Sequence, residues 1–245
     1  MEPSQKQPNQ RAFVTTQWTM VLAAGGNDSP SVRNALEDLC QTYWYPLYAY
    51  SRGKGISPEL SEDLVQGFFA QLFRLKSLKR VDRERGRFRS FLLASFNHFI
   101  ADEYAREKAQ KRGGDVSTFS IDALSAEERY ALEPVEILTP EDLYERRWAM
   151  TLLEETLGEL ERYYKKEGKV DFFAVCKDTL YGTGVGLSYA ALGGKLGISE
   201  SAIKMAVMRM RRRYRSTLIS KVHDTVGNPE EVDDELSHLM QAVSK

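Results

Sequence analysis

Between Arg85 and Arg112 the chain reads RGRFRSFLLASFNHFIADEYAREKAQKR, where five Phe/Tyr rings stand among a row of Arg, Lys and His side chains. A ring offers an unpaired base a stacking partner and a cation neutralises its phosphate, so these residue types together suit single-stranded nucleic acid. Helical spacing divides the stretch into faces. Phe88, Leu92, Phe96 and Phe99 form a stripe that packs inward, with Phe91, Ser95, His98 and Asp102 on the face beside it. An ion pair from Asp102 to Arg106, one turn on, would steady the helix, and Gly113-Gly114 would end it after a basic last turn. Arg87, Arg89, His98, Arg106, Lys108, Lys111 and Arg112 are the candidate contacts to nucleic acid. The plainer alternative is a core helix with a solvated edge.

A second constellation runs from Ser188 to Arg215, SYAALGGKLGISESAIKMAVMRMRRRYR. It has the form of a helix-turn-helix: a short helix with Leu192 and Leu196 inward, a turn at Gly197, and a longer helix capped by Ser199. Ile198, Ile203 and Ala206 would close onto Leu192 and Leu196, with Gly193 small where the helices cross. Glu200, Ser201, Lys204, Met205, Met208 and Arg209 then point away, and the arginine run Arg209 to Arg215 adds a phosphate-seeking end. Ser199, Ser201, Lys204, Met205, Met208, Arg209 and Arg212 are the candidate duplex contacts. Lys204 is the expected base contact and Arg209 a phosphate contact, because an arginine cluster holds backbone better than it reads sequence.

The rest of the chain must position these two surfaces. Ser29-Pro30 and Ser57-Pro58 are helix starts. The first helix carries Val32, Leu36, Leu39, Tyr43 and Leu47 and should kink at Pro46; the second carries Leu60, Leu64, Phe68, Leu72 and Leu75, with Asp63 and Gln66 on its other face. A short helix near Trp18 precedes them. The acidic segment 113–140 lacks a sustained period and contains prolines, which predicts a linker with at most a short helical turn. Further helices follow around Trp148 to Leu160 and Phe172 to Leu180. The expectation is an all-α fold of two helical domains joined by an acidic flexible linker: a disordered 1–15, helical domains over 16–112 and 141–227 with 113–140 between them, and an acidic C-terminal helix over 228–245.

Charge supports this division. The formal net charge is −1, yet 74–112 and 195–221 each carry +7, while 113–147 carries −6 and 222–245 carries −5. Two basic surfaces for a polyanion, separated and followed by segments that avoid it, fit the pattern. Cys40 and Cys176 lie far apart and belong to no metal-type cluster, and no apolar run reaches the length of a membrane span, so a reduced, soluble, cytoplasmic protein without metal or cofactor is expected. Gly182, Gly184 and Gly186 lack the βαβ setting of a dinucleotide loop and read as a connector. His98, Asp102 and Glu103 diverge on a helix, adjacent positions being about 100° apart, so no catalytic role is assigned.

Four motifs in order, YWYPLYAY, DLVQGFF, RGRFRSFLLASFNHFIADE and EVDDEL, resemble those of bacterial RNA polymerase sigma factors of the extracytoplasmic-function type, in a longer variety. The resemblance covers about Thr16 to Leu239. It implies a transcription initiation factor whose partners are core RNA polymerase and promoter DNA, with an inhibitory regulator also allowed and no membrane involved. Asp63, Leu64, Gln66, Phe69 and Leu72 would bind the polymerase. The helix through His98 would melt the promoter, the helix-turn-helix would hold the element further upstream, and the acidic linker would lie in the polymerase cleft and RNA exit path. Gly67 stands where the family usually has an acid, His98 where Asn is common, and Ala206 where many members have Arg. A stand-alone helix-turn-helix regulator is the alternative function.

Overall fold

The computed structural model describes residues 30–74, 87–109, 123–133, 137–181 and 187–245. The expected short helix near Trp18, the candidates Lys111 and Arg112, the side chain of Lys108 and the glycine connector lie outside the described residues. Among those described the chain is helical, with nine α-helices, two 3-10 segments and no strand.

Helix α1 (Pro30–Gly53) opens on its proline, whose missing N–H is one the first turn would leave unpaired anyway, and continues through Pro46 without a break. Ser57 caps α2 (Pro58–Arg74), its hydroxyl accepting from the Leu60 amide at 3.3 Å. Helix α3 (Phe88–Ala109) begins three residues later than Arg85, because the backbone before it is held elsewhere. The Phe88 N–H donates to the Thr225 carbonyl at 3.0 Å, and Arg87 forms an isolated antiparallel bridge with Val226.

The segment expected as a linker contains α4 (Ala123–Tyr130), packed on α1. Arg52 donates to Glu127 at 2.9 Å, the Tyr48 hydroxyl donates to Glu127 at 2.6 Å, and the Tyr45 hydroxyl donates to Glu133 at 2.9 Å. Two of its acids, Glu127 and Glu133, therefore pair with groups inside the molecule, while Glu128 is exposed, and the segment is helical over Ala123–Tyr130 where at most a short turn was expected. Charge and broken periodicity signalled the composition; only the partners on α1 decided its conformation.

Thr139 caps the longest helix, α5 (Pro140–Lys166), accepting from the Asp142 amide at 3.1 Å, with Glu141 and Asp142 in the first turn and Lys165 and Lys166 in the last. That charge order complements the helix dipole. There follow α6 (Val170–Cys176) with a 3-10 turn over Lys177–Tyr181, α7 (Tyr189–Leu196), α8 (Glu200–His223) and, after a 3-10 turn, α9 (Val232–Ser244).

Two hydrophobic cores form, and the boundary between them lies along α5 rather than at residue 113. Tyr144, Trp148, Ala149 and Leu152, on its first half, join Tyr43, Trp44, Leu47, Tyr48 and Tyr50 of α1 with residues of α2, α3, α9 and the end of α8. Leu160 and Tyr164, on its second half, join Phe173, Cys176, Leu192, Ile203, Val207 and Met210. Residues 42–51 of α1 are buried on every side, as an all-round apolar helix must be. At 1.5 Å per residue α5 is about 40 Å long, and its two halves serve the two cores.

Candidate nucleic-acid interface

Between α7 and α8 the chain makes a tight corner. Ser188 caps α7, accepting from the Ala191 amide at 3.2 Å; Ser199 caps α8, accepting from the Ala202 amide at 3.3 Å. Gly197 has φ +67°, the left-handed region, and its N–H and that of Ile198 both donate to the Gly193 carbonyl. A Cβ on Gly193 would lie 2.6 Å from the Ile198 carbonyl oxygen, so the corner requires glycine there as the sequence anticipated.

Leu192 and Ile203 close beneath this corner, with Leu196 half-buried. Ile198 does not join them. It is 44% exposed because the turn swings it outward, and Val207 and Met210, one and two turns beyond Ile203, fill the space. Neither was identified from the sequence, although both continue the i, i+4, i+7 stripe that begins at Ile203. The region around Phe172, whose role was open, supplies the floor: Phe173 and Cys176 pack under α7 and α8, and burial pushes the Cys176 thiol up.

On the opposite side of α8, Ser201, Lys204, Met205, Met208, Arg209 and Arg212 are all exposed, as expected. Lys204 leans back toward the start of the helix, with its ammonium 3.6 Å from Glu200 and 5.9 Å from the Tyr189 ring centroid. The arginine run splits by function. Arg211 donates to the Thr179 carbonyl at 2.6 Å and Arg213 stacks 3.5 Å over Tyr163, so both brace α8 against the α5–α6 region. Arg209 and Arg212 face an open groove of about 810 Å³ whose walls include Tyr163, Phe172 and Thr217.

The α3 surface is less aromatic than its composition suggested. Phe88, Phe96 and Phe99 are buried with Leu92, Phe91 is half-buried, and Tyr104 alone of the five rings is exposed; His98, six residues before it, is exposed as well. Arg106 pairs with Glu103 at 2.5 Å rather than with Asp102, one turn of i,i+3 spacing replacing the expected i,i+4.

Arg89, expected to face nucleic acid, is instead 5% exposed. Its Nε donates to Glu235 at 2.7 Å, its Nη1 pairs with Glu145, and its guanidinium lies 5.1 Å from the Trp148 ring centroid. Arg87 also reaches Glu235, at 3.2 Å, and His238 contacts Glu145 at 2.7 Å. Burial opposes the Arg89 charge, but the Glu235 and Glu145 carboxylates outweigh it and hold the guanidinium protonated. Thus RGRFR and EVDDEL, 146 residues apart at Arg89 and Glu235, meet in one buried network. Their opposite charges were the only sequence signal of that meeting.

The candidate polymerase contacts divide similarly. Asp63 is exposed, whereas Leu64, Phe69 and Leu72 belong to the first core and Gln66 is buried, donating to Glu62 at 2.7 Å. Those four are not open docking residues in this conformation: Leu64, Phe69 and Leu72 share a core with residues of α1 and α3, and Gln66 is held to Glu62 on another side of α2. Gly67 has a local reason: a Cβ there would lie 3.2 Å from the Phe99 ring. Among the described residues no helix is long and apolar enough to cross a membrane, and no group of three or more His, Cys, Asp or Glu could hold a metal. Compared with protein-family models, curated proteins and solved structures, the chain matches none.

Proposed function

We propose that this protein is a sigma-type transcription initiation factor that binds core RNA polymerase, directs it to promoter DNA and assists melting. The observation that carries the reading is the α7–α8 corner, taken as a helix-turn-helix, whose exposed Ser201, Lys204, Met205 and Met208 recur at i, i+3, i+4 and i+7. Arg209 and Arg212, midway along α8 beside that face, suit a duplex, bases in front and phosphates to the side. Exposed His98, Tyr104 and Arg106 are what α3 offers an opened strand. The polymerase role rests on the ordered motifs and on Asp63, which is free to meet a basic partner.

Asp63→Arg tests this directly. A like-charge contact should reduce copurification with core polymerase by about tenfold or more, since like charges brought together at an interface cost more than the ~1.4 kcal/mol of one tenfold step, while helicity stays that of wild type. Equal recovery of variant and wild type would remove α2 from the docking role. The burial of Phe69 and Leu72 favours a second reading, a stand-alone helix-turn-helix regulator. It takes over if the wild-type chain binds specific DNA and does not copurify with polymerase.

A further inference from the structure

Helix α8 carries two apolar sets on opposite sides. Ile203, Val207 and Met210 are essentially inaccessible and complete the second core, while Met205 and Met208 are 49% and 48% exposed. The core has no use for the second pair. Spaced i, i+3, the two thioethers lie together in the middle of the face that Ser201 and Lys204 share, within the first three turns after the Ser199 cap. Lys204 leans toward Glu200 and Tyr189, which leaves the methionines as the foremost part of that face.

We infer that Met205 and Met208 read the C5-methyl groups of thymines in the major groove; this rests on the reading of α7–α8 as a helix-turn-helix. The methyl is the one apolar feature that a base edge presents in that groove, and its absence is what separates cytosine's apolar edge from thymine's. An unbranched, flexible thioether adapts to a methyl without a fixed hydrogen-bond geometry. A protein partner for the same pair is disfavoured by the setting: the stretch 195–221 holds eight Lys/Arg against one acid, Glu200, and that acid is engaged with Lys204. An element read by this helix therefore contains thymines facing Met205 and Met208, and discrimination there is between T and C.

The test uses the full chain. Duplexes are selected from a random pool, and the selected duplex is remade with deoxyuridine for thymidine, which deletes only the methyl. Affinity should fall about fourfold for each contacted methyl, the worth of one buried CH₂. Met205→Ala and Met208→Ala should bind the thymine duplex more weakly and each should lose its share of the thymine-to-uracil difference; both side chains are exposed, so circular dichroism should match wild type. Equal affinity for the two duplexes, a selected element without thymine in the contacted positions, or alanine variants that keep the whole difference would overturn the inference while leaving DNA binding standing. Failure to enrich any duplex would overturn the helix-turn-helix reading, and this inference with it. Enrichment together with methyl-dependent loss that the alanine variants abolish is the expected result.

Discussion

Arg89 and Glu235 show how a single residue's environment can reverse the role its type suggests. An arginine in a basic, ring-rich stretch reads as a phosphate contact, yet here it is sealed between two carboxylates and an indole. Leaving a buried charge without its partner costs about 3–5 kcal/mol, far more than the loss of a surface pair. Glu235→Ala should therefore lower the unfolding free energy by about 3 kcal/mol, the lower end of that range, in urea titrations, since Arg89 keeps only Glu145 and Arg87 loses its carboxylate partner. A loss below about 1 kcal/mol, the level of an exposed pair, would mean that the network does not hold α9 to α3.

Among the elements, α4 depends on charge more than on burial. Its contacts to α1 run through Glu127, which accepts from Arg52 and Tyr48, while Arg129 lies 4.1 Å from the Tyr45 ring centroid. The Arg52 guanidinium, with help from the Tyr48 hydroxyl and against a smaller effect of burial, holds the Glu127 carboxyl below the usual carboxylate range. A lowered folded-state value stabilises above the unfolded value, near 4.3 for Glu, and the contribution disappears as pH falls through the folded value. Acidification from about pH 5 to about pH 3 should release α4, seen as a change in the near-ultraviolet dichroism of Tyr45 and Tyr48. Glu127→Gln should show the weakened state already at neutral pH and lose that part of the acid response. An unchanged acid profile in the variant would assign the transition to another carboxylate, with Asp142, lowered chiefly by Lys245, next in line.

At the scale of the whole molecule, α5 sets the cooperativity. A chain of two domains on a flexible linker unfolds in separable steps, whereas two cores built on the two halves of one helix lose their support together. Urea unfolding followed by tryptophan fluorescence of a Trp18→Phe variant, which then reports only Trp44 and Trp148 in the first core, should coincide with exchange of the α8 amides around Ile203 to Met210 in the second. Well-separated midpoints would show that α5 can break between Leu152 and Leu160 and that the domains are independent after all. Neither outcome bears on the exposed face of α8 proposed to bind DNA, whose Lys204, Met205 and Met208 lie outside both cores.

The amino-acid sequence by itself determined which segments are helices and which face of most of them is apolar. Proline and serine starts, the Phe88 to Phe99 stripe and the glycines of the α7–α8 corner act locally, within one or two turns, so periodicity and capping chemistry suffice to read them. The outward face of α8 was legible for the same reason. What only the tertiary structure decided is where the remaining polar and aromatic residues go. Arg89 turns inward because Glu235 and Glu145 approach from helices far along the chain, Phe69 and Leu72 are covered because α1 and α3 reach them, and α4 folds because Arg52 and Tyr48 wait on α1. Charge in a sequence announces that a partner is needed; whether that partner is DNA, water or a distant carboxylate of the same chain is set by long-range packing, which no local pattern encodes.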